Sequence, residues 1–317
     1  MVTETPQGIE LLAADVESAS RGNKASRTKG LRDSRGRRTF LIVNATLLVV
    51  ISALVLYPFL NIVAQAFSSV GNINAGRVNL IPRGFNLTTF NVVLSDPMFW
   101  QNYRNTVVYT VTATVIAMAL TTTYAYALSK PYLKGRTFFI GVAVLTMFFN
   151  GGLIPNYVLI SQLGMRNTMW AIVLPNAISV FNLLVMKSFF ENFSNDLEEA
   201  ASIDGLTTYG IFFRVVLPLS KAVIATMVLF YAVAFWNSWF QAYLYMSDPA
   251  KYPVTVYLRN LIAGATAMDP GSADNMTQVG ANVQSVTMLL TILPIICLYP
   301  FIQRYFVSGV MLGAVKQ

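Results

Sequence analysis

The chain has 317 residues, of which 55% are apolar and only 11% charged, with a formal net charge of +8 and a mean hydropathy of +0.55. Soluble domains carry roughly 25% charged residues, so this composition excludes a water-soluble fold and indicates an integral membrane protein. Histidine is absent and Cys297 is alone, which removes the usual ligands of a metal site and any disulfide within the chain.

The first 39 residues are polar and hold Arg21, Lys24, Arg27, Lys29, Arg32, Arg35, Arg37 and Arg38. They lack the short apolar core and small-residue cleavage site of a removable signal, so the first span is expected to be an uncleaved anchor. Aromatic residues are not interleaved with the basic ones, and a membrane follows directly. Lipid headgroups are therefore the expected anionic partner of a disordered tail, and nucleic acid is not.

Apolar runs then predict six helical spans, about Phe40–Ala64, Thr106–Leu128, Thr137–Ile160, Met169–Met186, Val223–Tyr245 and Val286–Phe306. Each approaches or exceeds the roughly 20 residues that cross a bilayer core, and the short alternating strands of a barrel are not the pattern. In the third, Asn150-Gly151-Gly152 and Pro155 interrupt the run, so that end is expected to face protein or a cavity. With the N-terminus inside, sixteen of the twenty-two basic residues fall on inner segments, which places both termini in the cytoplasm. The domain reading is a tail over 1–39, a membrane domain over 40–306 and a C-terminal tail over 307–317.

No Asp or Glu lies within the six spans, which disfavours coupling to an ion gradient. A phosphate-cradling glycine loop ending in Lys-Ser or Lys-Thr is also absent, so energy is expected to come from a partner. The inner segment 187–222 holds the most informative pattern. Ser194 or Asn195 can cap a helix whose first turn carries Asp196, Glu198 and Glu199. Leu197, Ala200, Ala201 and Asp204 share spacings of one face, and Gly205 ends the helix. A second helix is expected from Thr208 to Val216, halted by Pro218. On composition alone, a plain solvated loop fits this segment as well.

In the fifth span Trp236, Asn237, Trp239, Phe240, Gln241 and Tyr243 set aromatic planes beside amides, a combination suited to sugars, and Trp236, Trp239, Phe240 and Tyr243 share one helical stripe at three- and four-residue spacing. Interfacial anchoring by the same aromatics is the competing reading. Asn150, Asn156, Asn176 and Asn182 are further candidates for lining a pathway, although amides between spans also simply join helices. Outer segments 71–101 and 247–284 are long enough to be functional, with Ala263–Ala267 and Gly271–Gly280 expected at a mobile tip.

Glu199-Ala200-Ala201, Asp204-Gly205 and Phe213-Arg214-Val215-Val216-Leu217-Pro218 together resemble the EAA signature of permease subunits in type I ABC importers. Asn105-Thr106, Leu163-Gly164 with Asn167-Thr168, and the run from Phe306 to Lys316 resemble the sugar-importing branch, in its maltose-type second permease. Phe148–Pro155 and Trp236–Phe240 are similar to a subgroup handling complex oligosaccharides, alginate importers included. The resemblance implies an all-α integral membrane protein with six transmembrane helices and the type I ABC importer permease fold. It implies a non-catalytic subunit without cofactor or metal, working with a homodimer of cytoplasmic ABC ATPases, a second and different permease, a solute-binding protein outside and a carbohydrate substrate. By the same resemblance Glu199 pairs with a basic residue of the ATPase, the tail from Val307 reaches the ATPase interface, and the loop within Pro249–Asn282 probes the binding protein. Ser202-Ile203 and Thr207-Thr208 stand where relatives vary. Rival readings are a permease for a non-sugar solute, an ion-coupled secondary transporter and a membrane enzyme, the last with no visible catalytic dyad.

Overall fold

The computed structural model describes residues 35–267, 282–298 and 300, and the described residues contain helices and turns but no strand. The basic tail up to residue 34, the tip at 271–280, and Phe306 with the C-terminal tail lie outside the described residues. By compactness the chain divides between Tyr57 and Pro58. Before that division the described chain is the first part of one helix, α1 (Arg35–Ala66), and its apolar side chains, Phe40, Val49, Leu54 and Val55 among them, are exposed.

After α1 come two short helices, α2 (Val70–Asn74) and α3 (Thr88–Ser95), so the segment 71–101 is partly folded rather than an open loop. Phe67 stacks on Phe85 and Phe90 with ring centroids 5.9 and 5.0 Å apart, which holds the segment on itself.

The helix α4 (Pro97–Ser129) is the axis of the second unit. It begins at Pro97 and not at Thr106, because Asp96 caps it by accepting from the Met98 N–H at 2.8 Å and Pro97 fills the first turn, where its missing N–H costs nothing. At 1.5 Å per residue it is about 50 Å long. Its buried face runs through Phe99, Asn102, Thr106, Thr110, Ala113, Ala117, Thr121, Ala125 and Leu128 at three- and four-residue steps. Most of these are small, which lets neighbouring backbones approach closely.

Around α4 several of the remaining helices are interrupted at clusters of amide, Gly, Pro or Ser residues. Helices α5 (Arg136–Phe148) and α6 (Leu153–Gln162) meet at 114°. Between them Gly152 adopts φ +89°, and the Asn150 side chain accepts from the Gly152 N–H at 2.9 Å. The fourth predicted span is broken into α7 (Trp170–Val173) and α8 (Val180–Glu191), because Pro175 supplies no N–H and Ser179 starts a new helix with its hydroxyl accepting from the Asn182 N–H. Next are α9 (Asn195–Ile203) and α10 (Thr208–Leu219), the latter bent by 81° from α11 (Lys221–Trp236). Asn237 and Ser238 end α11 before α12 (Trp239–Tyr245). A 3-10 turn at Pro249–Lys251, α13 (Val254–Ala267) and α14 (Asn282–Leu298) complete the described chain.

Among the described residues, two helices are long and apolar enough to cross a membrane unbroken, Gly36–Ala66 and Pro97–Ser129, or four crossings if each bent pair is one span. Helix length alone therefore does not reproduce the six predicted spans. The hydropathy of the fourth and fifth runs conceals their breaks at 174–179 and 237–238.

Candidate functional site: a docking helix and a polar groove

Helix α9 divides its residues between two faces. Ala201 is buried in a core with Tyr126, Met186, Phe190, Ile211 and Phe212, and Leu206 packs against it. Glu198, three residues earlier, turns the same way. Its carboxylate accepts from Lys130 Nζ at 2.5 Å on both oxygens and from the Tyr126 hydroxyl at 3.5 Å. Only 11% of the Lys130 side chain and 17% of the Glu198 side chain are exposed, so the pair sits largely inside the protein.

The other face is open. Glu199 and Ala200 are exposed, and Ile203 is 86% exposed, an unusual position for isoleucine. Glu199 has no hydrogen-bond or ionic partner among the described residues. Leu197, Ala200, Ala201 and Asp204 therefore do not form one contact face. Ala201 belongs to the core, whereas Leu197, Glu199, Ala200, Ile203 and Asp204 are exposed.

The ends of α9 are built as the sequence suggested at one terminus and differently at the other. Gly205 has φ +82°, and behind it the Leu206 N–H reaches Ala201 O at 3.1 Å while the Gly205 N–H reaches Ser202 O at 3.0 Å, a closed C-terminal cap. No atom lies within 4 Å of where a Gly205 side chain would start, so the position opens to the outside. At the other end Ser194 occupies the cap position without a side-chain hydrogen bond to the helix. Thr207 starts α10 by accepting from the Gly210 N–H at 3.3 Å.

Pro218 does not halt α10 at Val216. A π turn over Phe212–Val216 precedes it, and Pro218 falls in the first turn of the short segment Leu217–Leu219, where its lost N–H is tolerated. The chain bends at Ser220 instead. That serine is fully buried, and its hydroxyl donates to Val216 O at 2.6 Å, which sets a firm elbow into α11.

The second feature is a groove of about 710 Å³ between the α7–α8 junction and the α11–α12 junction. Asn176, Asn182, Asn237 and Gln241 all line it, together with Ser179, Tyr231 and Ser238. Asn176 and Asn237 each donate back to their own preceding turn, at 3.1 and 2.9 Å, leaving their amide oxygens unpartnered among the described residues. Asn182 is only 5% exposed, yet its side-chain amide has no partner among the described residues. These amide groups line the groove, so it presents hydrogen-bonding capacity that a polar ligand or water would satisfy.

Tyr231 braces this groove. Its hydroxyl lies 2.6 Å from Thr121 Oγ1 on α4 and accepts from the Ser179 N–H at 2.9 Å. Neither Tyr231 nor Ser179 stood out in the sequence, although a phenol inside an apolar run signals a partner by itself.

The predicted aromatic stripe is not part of the groove lining. Trp236 is 7% exposed, donates its indole N–H to Thr291 O at 3.2 Å and meets Tyr103 edge-on at 5.9 Å, so it joins α11 to α14 and α4. It borders a separate, almost wholly apolar cavity of about 360 Å³. Trp239, Phe240 and Tyr243 form an exposed ledge on α12, with the Arg259 guanidinium 4.0 Å above the Tyr243 ring. Asn150, with Asn156 donating to it at 3.2 Å, belongs to the bend between α5 and α6.

Two of the quoted sequence motifs hold the segment 247–254, Asn105-Thr106 from the Pro97 end of α4 and Asn167 from the turn between α6 and α7. Asn105 donates to Ala250 O at 2.8 Å and Tyr252 O at 3.1 Å, Gln101 donates to Ala250 O at 3.0 Å, and Thr106 accepts from the buried Val254 N–H at 2.7 Å. Asn102, with its amide turned to donate, reaches Pro249 O and Tyr252 O at 3.0 Å each. Asn167, at φ +57°, accepts from the N–H groups of Ser247 and Asp248 at 3.3 and 3.2 Å. On α13 the Tyr257 hydroxyl donates to Asp96 at 2.6 Å; burial first, then that bond and the carboxylate charge, hold the phenol above its ordinary range.

Residues 32–311 match the protein family described as the binding-protein-dependent transport system inner membrane component. Protein LplC of Bacillus subtilis is 36% identical over 288 residues, spanning 90% of this chain and 98% of that protein. The polygalacturonan/rhamnogalacturonan transport system permease protein YtcP of the same species is also 36% identical, over 85% of this chain and 95% of its own length. A crystal structure of a bacterial ABC transporter involved in the import of the acidic polysaccharide alginate contains a chain 34% identical, superposing with a TM-score of 0.80 over 86% of this chain and 98% of that one. A chain in the alginate ABC transporter crystallised with its alginate pentasaccharide-bound periplasmic protein is 15% identical with a TM-score of 0.55, a likeness of fold alone.

Proposed function

The chain belongs to the family of binding-protein-dependent transport system inner membrane components and has the type I ABC permease fold, and from that premise we propose that it is the permease subunit of an ATP-driven importer of carbohydrate. The substrate class is an oligo- or polysaccharide; polygalacturonan/rhamnogalacturonan, arabinooligosaccharides and alginate are among those for which similar proteins are named. A solute-binding protein delivers it, a second and different permease completes the pathway, and ATP is hydrolysed by a separate homodimeric ATPase. The chain crosses a bacterial inner membrane six times, over 40–306, with both termini and the segment 187–222 in the cytoplasm and 247–284 outside.

The observation that carries this reading is the split of α9. One carboxylate, Glu198, is locked inward, while its neighbour Glu199 is left exposed and unpartnered beside Ala200 and Ile203, at a helix closed by a left-handed glycine. An apolar side chain and a free charge on a rigid, exposed helix form a surface made for another protein. The ATPase grips this face, with Glu199 meeting a basic residue, and its closure moves α9. The elbow at Ser220 passes the motion to α11, which carries Tyr231 and Ala234 on one wall of the groove.

The groove is this subunit's contribution to the pathway, with the amides of Asn176, Asn182, Asn237 and Gln241 facing sugar hydroxyls. Trp239, Phe240 and Tyr243 supply aromatic planes nearby on α12, and Trp236 supports them from the core. Replacing Gly205 by Val tests the docking face: a Cβ there has open space around it, although the left-handed backbone strains any side chain, so thermal stability is measured beside function. The variant is expected to assemble into the membrane yet lose binding-protein-stimulated ATP hydrolysis. Full stimulation in G205V would contradict the proposal.

A further inference from the structure

The inward carboxylate of α9 has no role in docking, and its surroundings give it another. Lys130 is the residue that closes α4, and its ammonium bridges both oxygens of Glu198 at 2.5 Å while lying 4.5 Å above the Tyr126 ring. Tyr126 in turn packs on Phe212 of α10, with centroids 4.7 Å apart, and edge-on to Phe190 of α8 at 5.8 Å. A cation at a helix C-terminus is also favoured by the helix dipole, so the ammonium is held from α4 and from α9 together. Further along the same helix, Thr121 holds Tyr231, and Tyr231 holds the Ser179 N–H at the groove wall. One continuous chain of contacts therefore runs from α9 through Lys130 and α4 to the groove, separate from the backbone route through the Ser220 elbow.

We infer that the Glu198–Lys130 pair is a mechanical joint that makes α4 follow α9, so that ATPase-driven movement reaches both walls of the groove and not α11 alone. Glu198 and Lys130 are positioning residues: they touch neither substrate nor ATPase. The inference rests on the reading of α9 as the docking helix. An ion pair suits the task, since its attraction survives small sliding that would break a single neutral hydrogen bond.

The test uses the full importer complex with Cys297 replaced by Ser and a single cysteine introduced at either of two places. A cysteine at Ala234, an exposed position lining the groove, reports groove opening through its alkylation rate with and without ATP and vanadate. A cysteine at Ile203 reports docking through its protection by the ATPase. In the parent complex the Ala234 probe is expected to respond to nucleotide and the Ile203 probe to be protected. In K130Q and in E198Q, protection at Ile203 is expected to persist while the nucleotide response at Ala234 is lost. The charge-exchanged double variant K130E/E198K is expected to restore the response, which a loss of folding alone would not permit. An unchanged response at Ala234 in both single variants, with the complex intact, would overturn the joint while leaving docking in place. An unprotected Ile203 in the parent complex would overturn the docking reading, and the joint with it.

Discussion

The two ends of α4, about 50 Å apart, are held by different chemistry. At the Pro97 end most contacts are amide to carbonyl: Gln101, Asn102 and Asn105 donate to backbone carbonyls of 249–252, Thr106 accepts from the Val254 N–H, and the Asp96 carboxylate adds a charged acceptor for the Tyr257 hydroxyl. At the Ser129 end they are ionic. Lys130 meets Glu198, and Arg136 of α5, which donates to Leu128 O of α4 at 2.7 Å, meets Glu191 of α8, which also takes Lys187 at 2.7 Å. An amide-to-carbonyl bond is short-ranged and directional, so several of them together fix one geometry. Ion pairs between long side chains tolerate displacement. The contrast suggests that the first end is an anchor and the second a bearing, which is what a subunit moved from one side requires.

The sharpest way to break this comparison is to remove an anchor. Asn102→Leu deletes two donors at a site 1% exposed, and is expected to lower stability by about 3 kcal/mol. Thermal unfolding in detergent reads it. The ATPase coupling of the protein that remains folded is expected to be unaltered, since the anchor carries no motion.

At the bearing the balance reverses. Glu198→Gln leaves Lys130 largely buried without its counter-charge, at a cost of about 2 kcal/mol, below that of a fully buried pair. Thermal unfolding is expected to show this modest loss, while the ratio of transport to ATP hydrolysed falls much further. Gly205→Val costs about 1 kcal/mol for its left-handed backbone, and its functional loss is again disproportionate. Smallest of all in stability is Glu199→Gln, within about 0.5 kcal/mol as for other exposed substitutions, with weakened ATPase retention measured by co-purification.

How much of this was legible in the sequence follows from the range of each interaction. Gly205 as a helix end and the acidic start of α9 are local, and the residues concerned are neighbours. The helix and its closing glycine were accordingly legible. The division between Glu198 and Glu199 was not, because it depends on Lys130, a residue far away in the chain that composition alone cannot pair. Asn105-Thr106 and Asn167 were noticed as motifs, but their acceptors and donors are backbone groups near 247–254, which no side-chain pattern announces.

The aromatic stripe from Trp236 to Tyr243 was read as one continuous helical face. Asn237 and Ser238 break the helix there, which buries Trp236 against α14 and leaves Trp239, Phe240 and Tyr243 on a separate ledge. The amides Asn176, Asn182, Asn237 and Gln241 did converge, because polar side chains in apolar helices collect where they avoid lipid. Pro218 misled for a similar reason as the stripe: its effect depends on the π turn before it, and a single sequence carries no signal for that turn.

The claim on which the account turns is that the exposed face of α9 is gripped by an ATPase. Glu199→Lys reverses the charge on that face without touching the Glu198–Lys130 pair or the core beneath Ala201. Co-purification of the ATPase with the full-length chain, measured in detergent beside the thermal stability of the same samples, tests it most directly. The account predicts unchanged stability with the ATPase lost from the variant and retained by the parent protein. Equal retention of the ATPase by both, with binding-protein-stimulated hydrolysis intact in the variant, would contradict it.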